Sequence, residues 1–167
     1  MGKAAEQPGF DALDACHRQI QEHLVGLRGL AQDLAEFGLS DGLRACAKAI
    51  EAFFSATARQ HHEEEEVKVF PVLLASGDSG LIAMVHILQQ DHRWIEENWR
   101  ELSPRLRAIA LGNGWIDETE FLNYVEVFLE LMNGHIALEE TLIYPESKAR
   151  WAQAVAARLQ RLDSLRA

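Results

Sequence analysis

Two cysteines are all the chain has, Cys16 and Cys46. That is too few for a disulfide-built scaffold, and they read as reduced, buried thiols of a cytoplasmic protein. No apolar run reaches membrane-spanning length, which excludes a transmembrane helix. The first residues, 1–8, lack an apolar h-region, and Glu6 stands where a myristoylation signal wants Ser or Thr, so neither a secretory signal nor a lipid anchor is expected. Basic residues are scarce as well: 16 Lys and Arg face 26 Asp and Glu, a net charge of −10. Such a balance argues against the phosphate backbone of DNA or RNA as partner and favours the gathering of cations. The sequence has no Gly-rich phosphate loop, no nucleophile elbow and no His-Glu-x-x-His, and it lacks the Glu-x-x-His pairs of ferritin-like di-iron oxidases.

What the chain does have is a core and a repeat. Apolar residues make up 48% of 167, enough for one domain with a buried interior. The stretch His61-His62-Glu63-Glu64-Glu65-Glu66-Val67-Lys68-Val69-Phe70-Pro71 is echoed by His135-Ile136-Ala137-Leu138-Glu139-Glu140-Thr141-Leu142-Ile143-Tyr144-Pro145. Each copy places Glu four residues after His, then a second Glu, then an aromatic-Pro pair expected to stop the helix. The copies lie 74 residues apart (61 to 135, 65 to 139, 71 to 145). Positions i and i+4 share a helix face, so each copy aims an imidazole and a carboxylate the same way. A looser match joins Cys16-His17-Arg18 to Asp91-His92-Arg93 at a spacing of 75.

Apolar periodicity predicts helices around these motifs. Residues 10–34 carry a stripe of Phe10, Leu13, His17, Ile20, Leu24, Leu27, Ala31 and Leu34. After a turn over residues 38–42, capped by Ser40 or Asp41, a second stripe runs through Leu43, Ala47, Ile50, Phe54, Thr57, His61 and Glu65. A loop over residues 75–80 precedes a third, with Leu81, Val85, Leu88, His92, Ile95, Trp99, Leu102, Leu106 and Ile109. Pro104 is expected to kink or end it, because proline removes a backbone donor. Asp117 and Glu120 form a capping box for a fourth stripe of Phe121, Val125, Phe128, Met132, His135, Glu139 and Leu142. Gly134 within it costs roughly 1 kcal/mol of helix propensity relative to Ala. A fifth amphipathic helix over residues 146–166 carries Trp151, Val155, Leu159, Leu162 and Leu165 on one side and basic residues elsewhere.

The predicted fold is all-α: two related hairpins forming an antiparallel up-down four-helix bundle over residues 10–145. A flexible N-terminus, 1–9, precedes it. The C-terminal helix, 146–167, follows and packs on the bundle or on a partner, a homodimer among the options. The bundle interior would gather His17, His61, Glu65, His92, His135 and Glu139. Burying an unpaired carboxylate costs several kcal/mol, and no Lys or Arg occupies the stripes near these two. A bound cation is the simplest offset.

Imidazole and carboxylate without thiolate suit iron or manganese; structural zinc more often takes Cys. Two octahedral irons, oxo- or hydroxo-bridged, offer about a dozen positions, of which four His and two bridging Glu fill about eight. Iron, two per chain, therefore ranks ahead of manganese and zinc, and open positions remain for a small diatomic or peroxide ligand. Three histidines lie off the stripes: His62 about 100° round from His61, and His23 and His86 about 120° away from theirs. His62 and Glu66 make an i,i+4 pair of their own, an alternative register that the shared Pro argues against. Glu96, four residues after His92, is a further candidate carboxylate.

His17, His61-xxx-Glu65, His92 and His135-xxx-Glu139, with Phe70-Pro71 and Tyr144-Pro145, resemble the hemerythrin-like (HHE cation-binding) proteins over residues 10–145. The resemblance implies a four-helix bundle around a non-haem di-iron centre with those six residues as ligands. It implies activities from O2 binding to sensing of O2, iron or nitric oxide and repair of iron-sulfur clusters. Oxygen-carrying hemerythrins have five His, whereas here the place four residues before His92 is Leu88 and that four after is Glu96. Three functions follow as expectations: a cytoplasmic di-iron module that binds or senses O2, peroxide, nitric oxide or iron; an enzyme-like role in cluster repair or in peroxide or NO reduction; and a metal-free helical interaction domain.

Overall fold

The computed structural model describes residues 9–113 and 115–165; most of the expected flexible N-terminus, residues 1–8, lies outside them. Among the described residues there is no strand. Four helical rods run through α1 (Phe10–Phe37), then α2 (Asp41–Phe53), α3 (Arg59–Glu64) and α4 (Phe70–Leu74) in line, then α5 (Ser79–Ala110), then α6 (Glu118–Leu138) and α7 (Tyr144–Ser164) in line. Side-chain caps start three of them. Ser40 accepts from the Leu43 amide at 3.2 Å, Asp78 from Gly80 at 2.9 Å and Asp117 from Glu120 at 2.9 Å, each satisfying a first-turn N–H that has no partner within the helix. The α1–α2 turn hinges on Gly38 at φ 74°, a conformation that a Cβ disfavours.

α1 packs on α2 and α6, and α5 packs on the same two, which closes the antiparallel four-rod bundle. Single π-helical turns join the collinear segments: Phe54–Ala58, Glu65–Val69 and Glu139–Ile143. They change three expectations. Pro71 and Pro145 do not stop their helices; each enters the first turn of the next segment, where its missing donor and fixed φ are tolerated. Thr57 is exposed and Ala58 buried in its place, while Ile143 and Tyr144 are buried rather than Leu142, because a turn bonded i to i+5 slips the stripe by one residue. Pro104 does not end α5, which continues to Ala110.

The interior is layered. One apolar cluster runs from Ile20 and Ala58 to Ile109 and Met132; a second gathers Phe10, Leu13, Val69, Phe70, Leu73, Leu81, Val85, Leu88, Ile143 and Tyr144. Between them lies a buried polar band: His17, His61, Glu65, His92, His135 and Glu139. Tyr144 and Ser147 of α7 are buried against the bundle and Trp151 half so, but every described residue from 152 on is exposed. The apolar stripe of Val155, Leu159 and Leu162 thus faces solvent and not the bundle. Among the described residues no helix is long and apolar enough to cross a membrane.

Candidate metal centre

All six predicted residues meet at one level of the bundle, one imidazole from each rod. Helical spacing explains the pairs: His61 Nε2 lies 3.1 Å from Glu65 Oε1, and His135 Nε2 lies 3.2 Å from Glu139 Oε1. The carboxylates reach across the bundle as well. Glu65 turns Oε1 toward His17 and His61 and Oε2 toward His92, 3.4 Å away. Glu139 turns Oε2 toward His17 at 3.2 Å and Oε1 toward His135. Each carboxylate therefore contributes one oxygen to each of two half-sites.

Sequence reasoning placed His62 off the stripe; the structure brings it into the centre. Its ring stacks on that of His92 at 4.3 Å and 20°, and His62, Glu65, His92 and His135 converge as one potential metal-binding group, with His17, His61, Glu65 and Glu139 as the other. His62 keeps its α-helical offset of about 100° from His61 within α3 and reaches the centre from the side of His92. Five imidazoles thus surround the centre. Buried Leu88 offers no donor, and His62 supplies the additional imidazole from a different rod.

The remaining candidates fall outside. His86 is exposed and contacts Gln89. His23 stacks on Phe53 at 3.9 Å. Glu96 pairs with Arg59 and Arg100 on the surface. Glu66 is not a donor to the centre but an outer partner: His92 Nδ1 donates to its Oε1 at 2.9 Å. Glu140, the matching second glutamate, accepts from His17 Nδ1 at 3.1 Å. Asp91 Oδ2 approaches His135 Nδ1 to 3.7 Å, and the half-buried Cys16 is near enough to His61 to raise its pKa. A hydrogen-bonded partner at Nδ1, as for His17 and His92, fixes the ring so that Nε2 points inward. Cys16 and Cys46, expected to be buried, are each half-buried and free.

Burial by itself would lower the imidazoles, yet the groups around them win. His17 is raised to about 9, chiefly by Glu139 and Glu65; His61 to about 10 by Cys16 and Glu65; and His135 to about 10 by Glu139 and Asp91. Burial also opposes ionisation of Glu65, but contacts with His17, His61 and His92 hold it well below the usual carboxylate range. His62, half-buried and beside His92, is pushed well below its ordinary value by desolvation and by the neighbouring His92. These shifts favour protons on His17, His61 and His135 that would offset the carboxylates when no cation is bound.

A cation fits better than protons. His61 Nε2, His62 Nε2, Glu65 Oε2 and both oxygens of Glu139 are buried without an aligned hydrogen bond, although several lie near 3 Å from one another. Donors at right angles on an ion with bonds of about 2.1 Å stand about 3 Å apart. His92 Nε2 and His135 Nε2 face each other at 3.1 Å, a pairing natural for two lone pairs that share an ion. The donor set, imidazole and carboxylate oxygen without thiolate, suits a first-row transition metal.

A family model described as the hemerythrin HHE cation binding domain matches residues 9–147. A protein of Haemophilus influenzae described as uncharacterized is 29% identical over 134 residues, covering 80% of this chain and 75% of that relative.

Proposed function

From the premise that the chain belongs to the hemerythrin HHE cation-binding family, we propose that the polar layer holds two iron ions and that the protein binds or senses a small exogenous ligand: O2, peroxide or nitric oxide. The observation that carries this reading is the division of Glu65 and Glu139, each with one oxygen toward each half-site. His17 and His61 would hold one ion, His62, His92 and His135 the other, and the carboxylates both. Five imidazoles and four carboxylate oxygens supply nine of the about twelve positions around two octahedral ions, leaving about three for other ligands. Bound iron would supply redox-active coordination chemistry; the chain supplies orientation and an apolar cluster on either side of the polar layer. Manganese and zinc rank behind iron.

Access is supported by a groove of about 550 Å³ whose wall includes Phe54, Trp99, Phe128 and Met132 and which reaches His62 and His92. Its size also supports the second reading, an enzyme-like role in peroxide or NO reduction or in iron-sulfur cluster repair, since a diatomic ligand needs far less room. A metal-free interaction domain would leave the orphaned donors without purpose. Free Cys16 and Cys46 support a reducing, cytoplasmic setting, and the solvent-facing stripe of α7 supports a homodimer, which sedimentation of the full chain tests.

The deciding experiment is iron analysis after anaerobic purification and reconstitution with ferrous iron. About two irons per chain is the expected result. Reversible spectral change with O2 or NO, without turnover, selects binding or sensing; sustained consumption of peroxide or NO selects the enzyme. No iron uptake would overturn the reading.

A further inference from the structure

The two half-sites come from related hairpins but are unequally furnished. His62, His92 and His135 serve one, together with an oxygen of each carboxylate; His17 and His61 serve the other with the remaining oxygens. The half of His17 and His61, the first half-site, is one side-chain donor short.

Equivalent aromatic residues, 74 apart, stand over the two halves. Phe70 stacks on His92 at 5.6 Å and 20°, and Tyr144 stacks on His17 at 5.0 Å and 11°. Phe70, over the half with three imidazoles, has no polar atom to offer. Tyr144, over the half with two, has a hydroxyl that is 3.2 Å from His17 Nε2 and donates to Glu65 Oε1. The residue is only 2% exposed. The π turn Glu139–Ile143 puts it there: Tyr144 is five residues after Glu139, and i,i+5 is the pair that a π turn brings onto one face.

We propose that Tyr144 Oη is the missing donor of the first half-site, a phenolate ligand in the ferric state that an exogenous anion must displace. This rests on the di-iron reading above. The 3.2 Å between Oη and His17 Nε2 equals the separation of His17 Nε2 from Glu139 Oε2, close to the roughly 3 Å expected for neighbouring donors on one ion. Iron held there would take the Oη oxygen in place of its proton, which would be released to solvent with no electron transferred. The centre is then a guarded one, whose ligand position opens when the tyrosine lets go.

The test uses the full chain, reconstituted with ferrous iron and oxidised in air, with azide as the exogenous anion. The wild type should show a visible phenolate-to-iron charge-transfer band that enhances tyrosine ring modes in resonance Raman spectra. Tyr144→Phe should keep its iron per chain, lose the band and bind azide at least tenfold more tightly. Tyr124→Phe, the control at the chain's other tyrosine, should retain the band. Iron-loaded wild type without the band would mean that the hydroxyl only donates to Glu65, and would overturn the assignment. So would a band that survives in Tyr144→Phe, or unchanged azide affinity. Should Tyr144→Phe not fold, the ring modes of the wild type decide alone. Failure of both proteins to take up iron sinks the di-iron reading, and the assignment with it.

Discussion

Glu66 Oε1 accepts a hydrogen bond from His92 Nδ1 at 2.9 Å, so the second glutamate of one hairpin holds an imidazole of the other. Glu140 returns the contact to His17 at 3.1 Å. The doubled Glu in each copy of the repeat is thus a pair with two jobs: the first faces the centre, and the second steers a ring across the bundle. Outer partners of this kind typically change metal affinity by about 10–100-fold when removed. Glu66→Ala and Glu140→Ala should each weaken iron or cobalt binding in that range, measured by competition with a chelator, while the far-UV spectrum stays unchanged. Glu66→Gln, which keeps an acceptor oxygen, should lose less. Wild-type affinity in both alanine variants would show that the contacts do not orient ligands.

His62 and His86 make a matched pair of tests, since both lie off the predicted stripes and only one is in the centre. His62→Ala should remove a donor from the half-site of His92 and His135 and lower the metal content from about two ions per chain toward one. His86→Ala, at an exposed position, should leave metal content and stability within error. Equal metal content in both variants would remove His62 from the donor set.

Why one histidine was legible and the other not is a matter of helix geometry. The stripe pattern anticipated the helical bundle and the placement of His17, His92 and His135 in line with their buried apolar neighbours, because α1, α5 and α6 keep an α-helical period around them. It departs from the structure at Thr57 and Leu142, which lie within π turns, and at the two aromatic-Pro pairs that follow π turns; His62, off the stripe, is brought to the centre from α3. A signal was present. The two hairpins repeat at 74 residues around the Glu motif and at 75 around His17 and His92, and a one-residue slip of that kind within related hairpins is what an unmatched bulge produces. The π turn Phe54–Ala58 has no counterpart within α6. Outer partners such as Cys16 were illegible for another reason: their role depends on contacts between rods, which no single-helix pattern contains.

Cys16 stands where the other hairpin has Asp91, at the 75-residue spacing; Asp91 approaches His135 of the next rod, and Cys16 raises the pKa of His61 of the next rod. A thiol thus replaces a carboxylate behind one of four imidazoles. In a Cys46→Ser background, Cys16→Ala should lower metal affinity by about tenfold, and Cys16→Asp should restore it. Rescue by Asp separates orientation of His61 from simple packing, which Ala would satisfy better. Alkylation of the metal-free protein with iodoacetamide should reproduce the loss; unchanged affinity across this series would assign Cys16 to packing alone.

Gly134 precedes His135 in α6, but a Cβ built there meets nothing within 4 Å. Close approach to the centre therefore does not require glycine at this position. Gly134→Ala should stabilise the protein by about 1 kcal/mol through helix propensity, a rise in Tm of roughly 2–4 °C for a chain of this length. Metal content should not change. Calorimetry that found destabilisation would mean that the rod is strained beside His135.

In the metal-free protein the pH dependence of stability follows from the raised imidazoles. His17 at about 9 and His61 and His135 at about 10 sit above their ordinary value of 6.5, so the folded state holds these protons more tightly than the unfolded chain. Their contribution is complete below pH 6.5 and is lost as pH rises through 9 to 10. Glu65, held low, contributes above the usual carboxylate range and loses its contribution only in strong acid. The Tm of the metal-free protein should accordingly fall by roughly 5–10 °C between pH 7 and pH 10. Metal needs the same nitrogens deprotonated, so its binding should release protons and strengthen over this interval, and the loaded protein should show the smaller decline. Calorimetry of both forms, with proton release measured in buffers of different ionisation enthalpy, checks the two halves of the argument separately. A metal-free Tm that rose toward pH 10 would mean that the imidazoles are neutral in the fold, and that something other than protons balances Glu65 and Glu139 when no cation is bound.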